Sequence, residues 1–383
     1  MRGHISCVLA ATLVIPTAAR AQEATAQSMA AGSVNSNQYI CRFDDSVNSS
    51  AVRAEADKAA GPELGQVLHT YTNTIRGFAV RLAASSAATN AIARLRANNP
   101  RIAECISDGV TRAAMQRRPG GGGSTSGQTT PWGVARVGGP GDASSSTKKA
   151  WIIDSGIDLD HPDLTVDTTN GYDFIDSDNI PDDGFGHGTH VAGTIGAKNN
   201  DFGVVGIAAG ITLVPIRVLD NQGIGPDSGV IAAIDYVAGL AAAGDVINLS
   251  LVADAPDQIM DDAVAAVAAK GIFVTIAAGN SSANAGNYSP GRTNGPNIFT
   301  VSAFGSRDTW ARFSNYGNPP IDYGEPGDSI RSTYKSGTYA TLSGTSMAAP
   351  HLAGILLLNA AGPSVGGNVK RDPDGNADII GIR

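Results

Sequence analysis

Apolar positions in the second half of the chain follow two alternating patterns. Ala150-Trp151-Ile152-Ile153 and the stretches 211–219, 246–251 and 271–276 are short apolar runs closed by turn residues, as in strands buried on both faces. Residues 190–197, 228–241, 257–269 and 345–360 are rich in small residues and carry helical apolar spacing. Strands alternating with helices predict an α/β fold, a mostly parallel sheet with helices on both faces. Ligands of such folds gather outside the carboxyl ends of the strands.

The first third of the chain reads differently. Residues 39–43 predict a strand, 51–60 a helix, 74–82 a second strand around Gly77-Phe78, 87–98 a helix and 102–106 a closing strand. Together they make a small α+β, ferredoxin-like module over 39–110. Residues 116–128, with Arg117-Arg118-Pro119 and Gly120 to Gly123, have the composition of a flexible linker. Ahead of the module, Arg2 and His4 precede the mostly apolar run 5–15, then Pro16 and Ala19-Arg20-Ala21. That layout predicts a secretory signal cut after Ala21, and the apolar run is too short to anchor the chain in a bilayer.

Composition narrows the picture in two ways. Charged residues make up 16% and hydrophobic ones 42%, which excludes a disordered chain. The net charge is −8 with no basic stripe, which argues against a nucleic-acid partner. Cys7 lies in the leader, and no cysteine follows Cys105. Cys41 and Cys105 stand at opposite ends of the small module, either paired or as two separate buried thiols.

Polar motifs stand at the ends of the predicted elements. Asp154 closes a strand in Ile153-Asp154-Ser155-Gly156, His187 opens a helix in Gly186-His187-Gly188-Thr189-His190, and Ser346 lies at a helix mouth in Gly344-Thr345-Ser346-Met347. A hydroxyl is a poor nucleophile until an imidazole takes its proton, and the imidazole needs a carboxylate to fix its tautomer. Free N–H groups at the Ser346 helix mouth suit an oxyanion, and Asn280, after Ala277-Ala278-Gly279, can add a second donor. Alone, each residue has a plainer reading: Asp154 and Asn280 as turn residues, Ser346 as a helix cap. His187 and His190 could bind zinc, but the glutamate of a His-Glu-x-x-His site is missing. Those readings leave unexplained why all four occur in this order. Asp176, Asp178, Asp182 and Asp183 read as solvated loop charge.

The Asp154, His187 and Ser346 segments resemble the signature motifs of the subtilisin family of serine proteases, peptidase family S8, in that family's chain order. The resemblance runs from about residue 127 to 360. Asn287-Tyr288-Ser289-Pro290 and the residues before it are similar to the proteinase K branch. The module, with Tyr39-Ile40 and Gly77-Phe78-Ala79-Val80, resembles the family's inhibitor I9-type propeptide. The implied organisation is a signal peptide at 1–21, a propeptide at 22–126 and a catalytic domain at 127–383. The implied activity is that of a secreted, monomeric serine endopeptidase acting on proteins or peptides. Its own propeptide would be chaperone and inhibitor until self-cleavage.

The resemblance also assigns roles. Asp154, His187 and Ser346 would be the triad and Asn280 the oxyanion donor. Gly223-Ile224-Gly225 and Ser250-Leu251-Val252 would hold a substrate strand between them, with Tyr288 nearby. Val252 departs from the family's usual Gly and would narrow the subsites or shift the strand. No charge is evident beside it, so apolar or aromatic residues are expected before the cut bond. A structural Ca²⁺ would take side-chain oxygens of Gln128, Asp163 and Asn200 and carbonyls of Lys198, Phe202 and Val204. The tail after Gly362 departs as well, reading as turns over 371–377 and a final strand over 378–382. Two rivals remain: a non-catalytic module that holds peptides in the same cleft, and a serine esterase, for which the Gly-x-Ser-x-Gly elbow is missing.

Overall fold

The structure, a computed structural model, describes residues 37–83, 90–115, 127–176 and 178–383. The leader-like segment 1–21, linker residues 116–126 and the start of the predicted helix 87–98 lie outside the described residues. The large domain is built on a sheet in the order Ser364–Asn368, Ile379–Ile382, Ile321–Pro326, Ile298–Gly305, Phe273–Ala277, Val246–Leu249, Lys149–Asp154, Thr212–Arg217, Tyr172–Asp173. From Ile379–Ile382 to Tyr172–Asp173 every pairing along this order is parallel.

Side-chain alternation in the central strand explains the layering. Trp151 and Ile153 join the core beneath helices Asp227–Ala238 and Gln258–Ala268, while Ala150 and Ile152 join the core with helices His187–Gly196 and Thr345–Leu358. Both faces are covered, so the strand is apolar throughout. Helix Thr345–Leu358 is buried over most of its length, which accounts for its nearly all-apolar sequence. The predicted strand over 246–251 divides at Ser250 into Val246–Leu249 and Leu251–Ala253.

The N-terminal module forms a four-stranded antiparallel sheet, ordered Gln66–Tyr71, Gly77–Arg81, Gln38–Phe43, Ile102–Ser107, with helices Val52–Ala60 and Ala91–Asn98. Strand Gln66–Tyr71 was not expected from the sequence, and the expected 74–82 strand starts only at Gly77. Cys41 and Cys105 face each other on neighbouring strands and form a disulfide. Ile40, Tyr71, Ile75 and Ala79 of the module share one core with the two helices of the large domain beneath them. In the tail, Ile379–Ile382 extends the large sheet next to Ile321–Pro326. Among the described residues no helix is long and apolar enough to cross a membrane.

Candidate active site

Asp154, at the carboxyl end of the central strand, is fully buried, and its carboxylate lies 2.8 and 2.9 Å from His187 Nδ1. The Ser155 N–H also donates to this carboxylate at 2.7 Å. With Nδ1–H donated to Asp154, Nε2 of His187 is left as the proton acceptor. It has no hydrogen-bond partner among the described residues.

His187 is held by an unexpected residue. The helix it opens has Gly186 at its cap and no side-chain cap there. Asp183 supplies the missing acceptor, taking N–H groups of Gly186 at 2.7 Å and Thr189 at 2.9 Å and the hydroxyl of Ser155 at 2.8 Å. Asp183 is therefore buried, which corrects its reading as solvated charge; Asp176 and Asp178 are exposed, and Asp176 pairs with Arg217 at 2.7 Å. His190 is spent elsewhere, against the Ile330 carbonyl at 3.0 Å, and burial pushes its pKa down to about 3.

Ser346 lies at the mouth of its helix beneath a strand from the N-terminal module. Val110–Ala113 is inserted between Ile224–Pro226 and Leu251–Ala253, antiparallel to both. Beyond it, Ala113 N–H donates to the Gly223 carbonyl at 3.0 Å and Ala114 N–H to the Ser250 carbonyl at 3.1 Å. The Ala114 carbonyl accepts the Ser346 N–H at 3.2 Å. The Ser346 hydroxyl lies within hydrogen-bond reach of both the Ala114 carbonyl and the Ser250 carbonyl, and its single proton serves one at a time. It is turned to those carbonyls, and a Ser346–His187 hydrogen bond is not formed.

Asn280 Oδ1 is fixed by the N–H and hydroxyl of Thr345, at 2.9 and 3.0 Å. An ideal Cβ on Gly344 would fall 2.7 Å from the Ala114 carbonyl oxygen and 3.3 Å from Asn280 Nδ2, so both atoms face the same spot. Only glycine lets the inserted strand come this close.

The segments matched for strand binding are thus brought together around Val110–Ala113. Val252 stands opposite Arg112 of the inserted strand. Tyr288 connects through its neighbour Ser289, whose carbonyl accepts the Ala253 N–H at 2.8 Å. One charge was overlooked. Asp254 grips the Arg112 guanidinium at 3.0 and 3.1 Å, so the groove is not uncharged at this position.

The residues expected around calcium, Gln128, Asp163, Lys198, Asn200, Phe202 and Val204, are linked to one another. Gln128 Nε2 donates to the Lys198 carbonyl at 2.9 Å, Asn200 Nδ2 to Asp163 Oδ1 at 2.7 Å, and the Phe202 and Val204 N–H groups to Asn200 and Asp163. Burial raises the Asp163 carboxyl. The amide nitrogens of Gln128 and Asn200 thus face the Lys198 carbonyl and the Asp163 carboxylate. Among the described residues no group of three or more His, Cys, Asp or Glu could hold a metal, and this set offers a single carboxylate, that of Asp163. It fits a hard cation.

The family model of the subtilases, peptidase family S8, matches residues 150–364. The chain belongs to this family. This subtilase is 39% identical to thermitase of Thermoactinomyces vulgaris over 239 residues, 62% of this chain and 84% of that one. It is 34% identical to an extracellular serine proteinase of Thermus sp. (strain Rt41A) over 380 residues, covering 92% of this chain and 87% of that protein. Alkaline serine exoprotease A of Vibrio alginolyticus is 42% identical over 209 residues, where the subtilase spans only 38% of the Vibrio protein's length. The crystal structure of a cold adapted subtilisin-like serine proteinase superposes with a TM-score of 0.58 at 34% identity, covering 65% of this chain and 96% of that one. The subtilase is accordingly a serine-type endopeptidase acting on protein substrates.

Proposed function

We propose that the enzyme cleaves peptide bonds by acyl transfer to Ser346, with His187 as general base and then general acid. Asp154 holds the imidazole tautomer and stabilises the imidazolium. The Ser346 N–H and the Asn280 amide receive the negative charge that develops on the carbonyl oxygen. The observation that carries this reading is the Ala114 carbonyl, seated on the Ser346 N–H at 3.2 Å with the Ser346 hydroxyl in reach. Gly223, Ile224 and Gly225 on one side and Ser250, Leu251 and Val252 on the other hold the substrate strand, and Tyr288 borders it.

The chain is organised as signal peptide, propeptide and catalytic domain, the last from about residue 127, and the product is exported and monomeric. The N-terminal module is an I9-type propeptide that fills its own cleft, and the catalytic domain is nearest the proteinase K branch. Calcium held by Gln128, Asp163, Lys198, Asn200, Phe202 and Val204 ties the start of the catalytic domain to the loop after the His187 helix, a structural role. Purified wild type should hydrolyse casein and chromogenic peptides, and Ser346→Ala should be at least a thousandfold slower. Equal rates would overturn the assignment and favour a peptide-holding module.

A further inference from the structure

We propose that the first self-cleavage of this chain falls at the Ala114–Met115 peptide bond. The inference rests on the catalytic reading above and adds the bond it acts on first.

The register of the inserted strand is fixed by contacts remote from Ser346. Thr111 stands opposite Gly225 and Ala253, and its buried hydroxyl donates to Asp227 Oδ1 at 2.6 Å. Asp108 accepts the Ser228 N–H at 2.9 Å and the Ser228 hydroxyl at 2.6 Å, at the first turn of helix Asp227–Ala238. Gly109 lies so close to Asp227 that a Cβ there would fall 2.1 Å from Oδ2. A slip of one residue would turn Thr111 to the other face and separate Arg112 from Asp254. A slip of two in one direction would force Thr111, with its side chain, into the place only glycine fits. The strand therefore has one seat, and in it the carbonyl beside Ser346 is that of Ala114.

Beyond Ala114 the chain leaves the groove, and the Met115 N–H folds back to the Ala113 carbonyl at 3.0 Å. Met115 Cα lies over Gly344, where an ideal Cβ would approach it to 2.9 Å. The Ala114–Met115 amide thus spans the helix mouth. Ser346 Oγ adds to the Ala114 carbonyl carbon as its proton passes to His187 Nε2. The C–N bond then breaks, and His187 returns the proton to the Met115 nitrogen, which leaves as a new amino terminus. Water hydrolyses the Ala114 ester, giving an Ala114 carboxylate and restoring the Ser346 hydroxyl. Removal of the sequence between Met115 and about Gly127 is then a later, separate trimming.

The test is time-resolved intact-mass analysis of the full chain during refolding, for wild type, Ser346→Ala and Met115→Pro. The first wild-type fragments should end at Ala114 and begin at Met115, and Ser346→Ala should stay whole. Met115→Pro, which makes the scissile nitrogen an imide and removes the N–H that folds back to Ala113, should slow the first cut at least tenfold. First fragments from within 116–128, with a Met115→Pro rate equal to wild type, would overturn the bond assignment and leave the catalytic reading standing. Identical fragments from wild type and Ser346→Ala, or a wild type that stays whole, would overturn both. Because Met115→Pro alters neither Ser346 nor His187, its result decides the bond even if Ser346→Ala fails to fold.

Discussion

The hydroxyl of Ser250 donates to the backbone carbonyl of Ser346 at 2.9 Å. Pro350, four residues on, has no N–H to give that carbonyl, so the helix leaves it without its usual partner. Ser250 makes good the loss, and its own carbonyl takes the N–H of the incoming chain at Ala114. One residue thus ties the Ser346 backbone to the groove that holds Val110–Ala113. Ser250→Ala should destabilise the protein by about 1–3 kcal/mol, the cost of an unmade bond to a buried acceptor. Thermal unfolding in a Ser346→Ala background, free of self-digestion, reads this. An unchanged midpoint would contradict it.

Release of the N-terminal module should depend on pH through Asp227. The module covers this carboxyl, and burial pushes its pKa up to about 8, with Asp257 and Asp108 adding like charge. Freed of the module it returns toward the usual carboxylate value near 4, so docking takes up a proton. A carboxyl raised in the complex favours docking most at low pH, and that advantage is lost as pH rises through about 8. Size-exclusion of freshly processed enzyme should show more co-eluting module at pH 6 than at pH 9. Asp227→Asn should flatten the difference, since its side-chain carbonyl still accepts the Thr111 hydroxyl.

Asp254 should give the groove a preference for a basic residue two positions before the residue at the cut bond. In the self-docked strand that residue is Arg112, half-exposed as is Asp254, so the pair is worth at most about 1 kcal/mol. Asp254→Asn should lower kcat/KM for peptides with Arg at this position by two- to fivefold and leave peptides with Ala there unchanged. A peptide-library profile identical to wild type would contradict the role.

Calcium bound by the Gln128 and Asp163 cluster should stabilise the enzyme by about 2.7 kcal/mol at a hundred times its dissociation constant. Chelation should then lower the melting temperature by roughly 5–10 °C in a domain of this size. Asp163→Asn should melt at one temperature with and without calcium. A wild type indifferent to chelator would count against the site.

The apolar central strands of the large sheet were legible in the sequence, as were module strands Gln38–Phe43 and Ile102–Ser107 and the tail strand Ile379–Ile382, while other strands were not. Strands Lys149–Asp154, Thr212–Arg217 and Phe273–Ala277 read as apolar runs because their interiors, Thr275 apart, are apolar between two helix layers. Ile298–Gly305 escaped because Thr300 and Ser302 interrupt it; the Thr300 hydroxyl is spent on the Gly291 carbonyl at 2.8 Å. Ile321–Pro326 escaped because it contains Asp322, Gly324 and a fully buried Glu325, residue types that normally argue against a strand. Asp154, His187, Asn280 and Ser346 stood out because each sits where an apolar element ends. Asp183 did not, since its partners Ser155 and Thr189 meet it only after folding. Asp254 was hidden for the same reason, being 142 residues from Arg112 in sequence.

The most direct test of the mechanism is labelling of the processed enzyme with a serine-reactive fluorophosphonate, followed by peptide mapping. One label per chain on Ser346, lost in His187→Ala, is the outcome expected of a hydroxyl activated by that imidazole. Label on another residue, or equal labelling of Ser346 without His187, would contradict the mechanism.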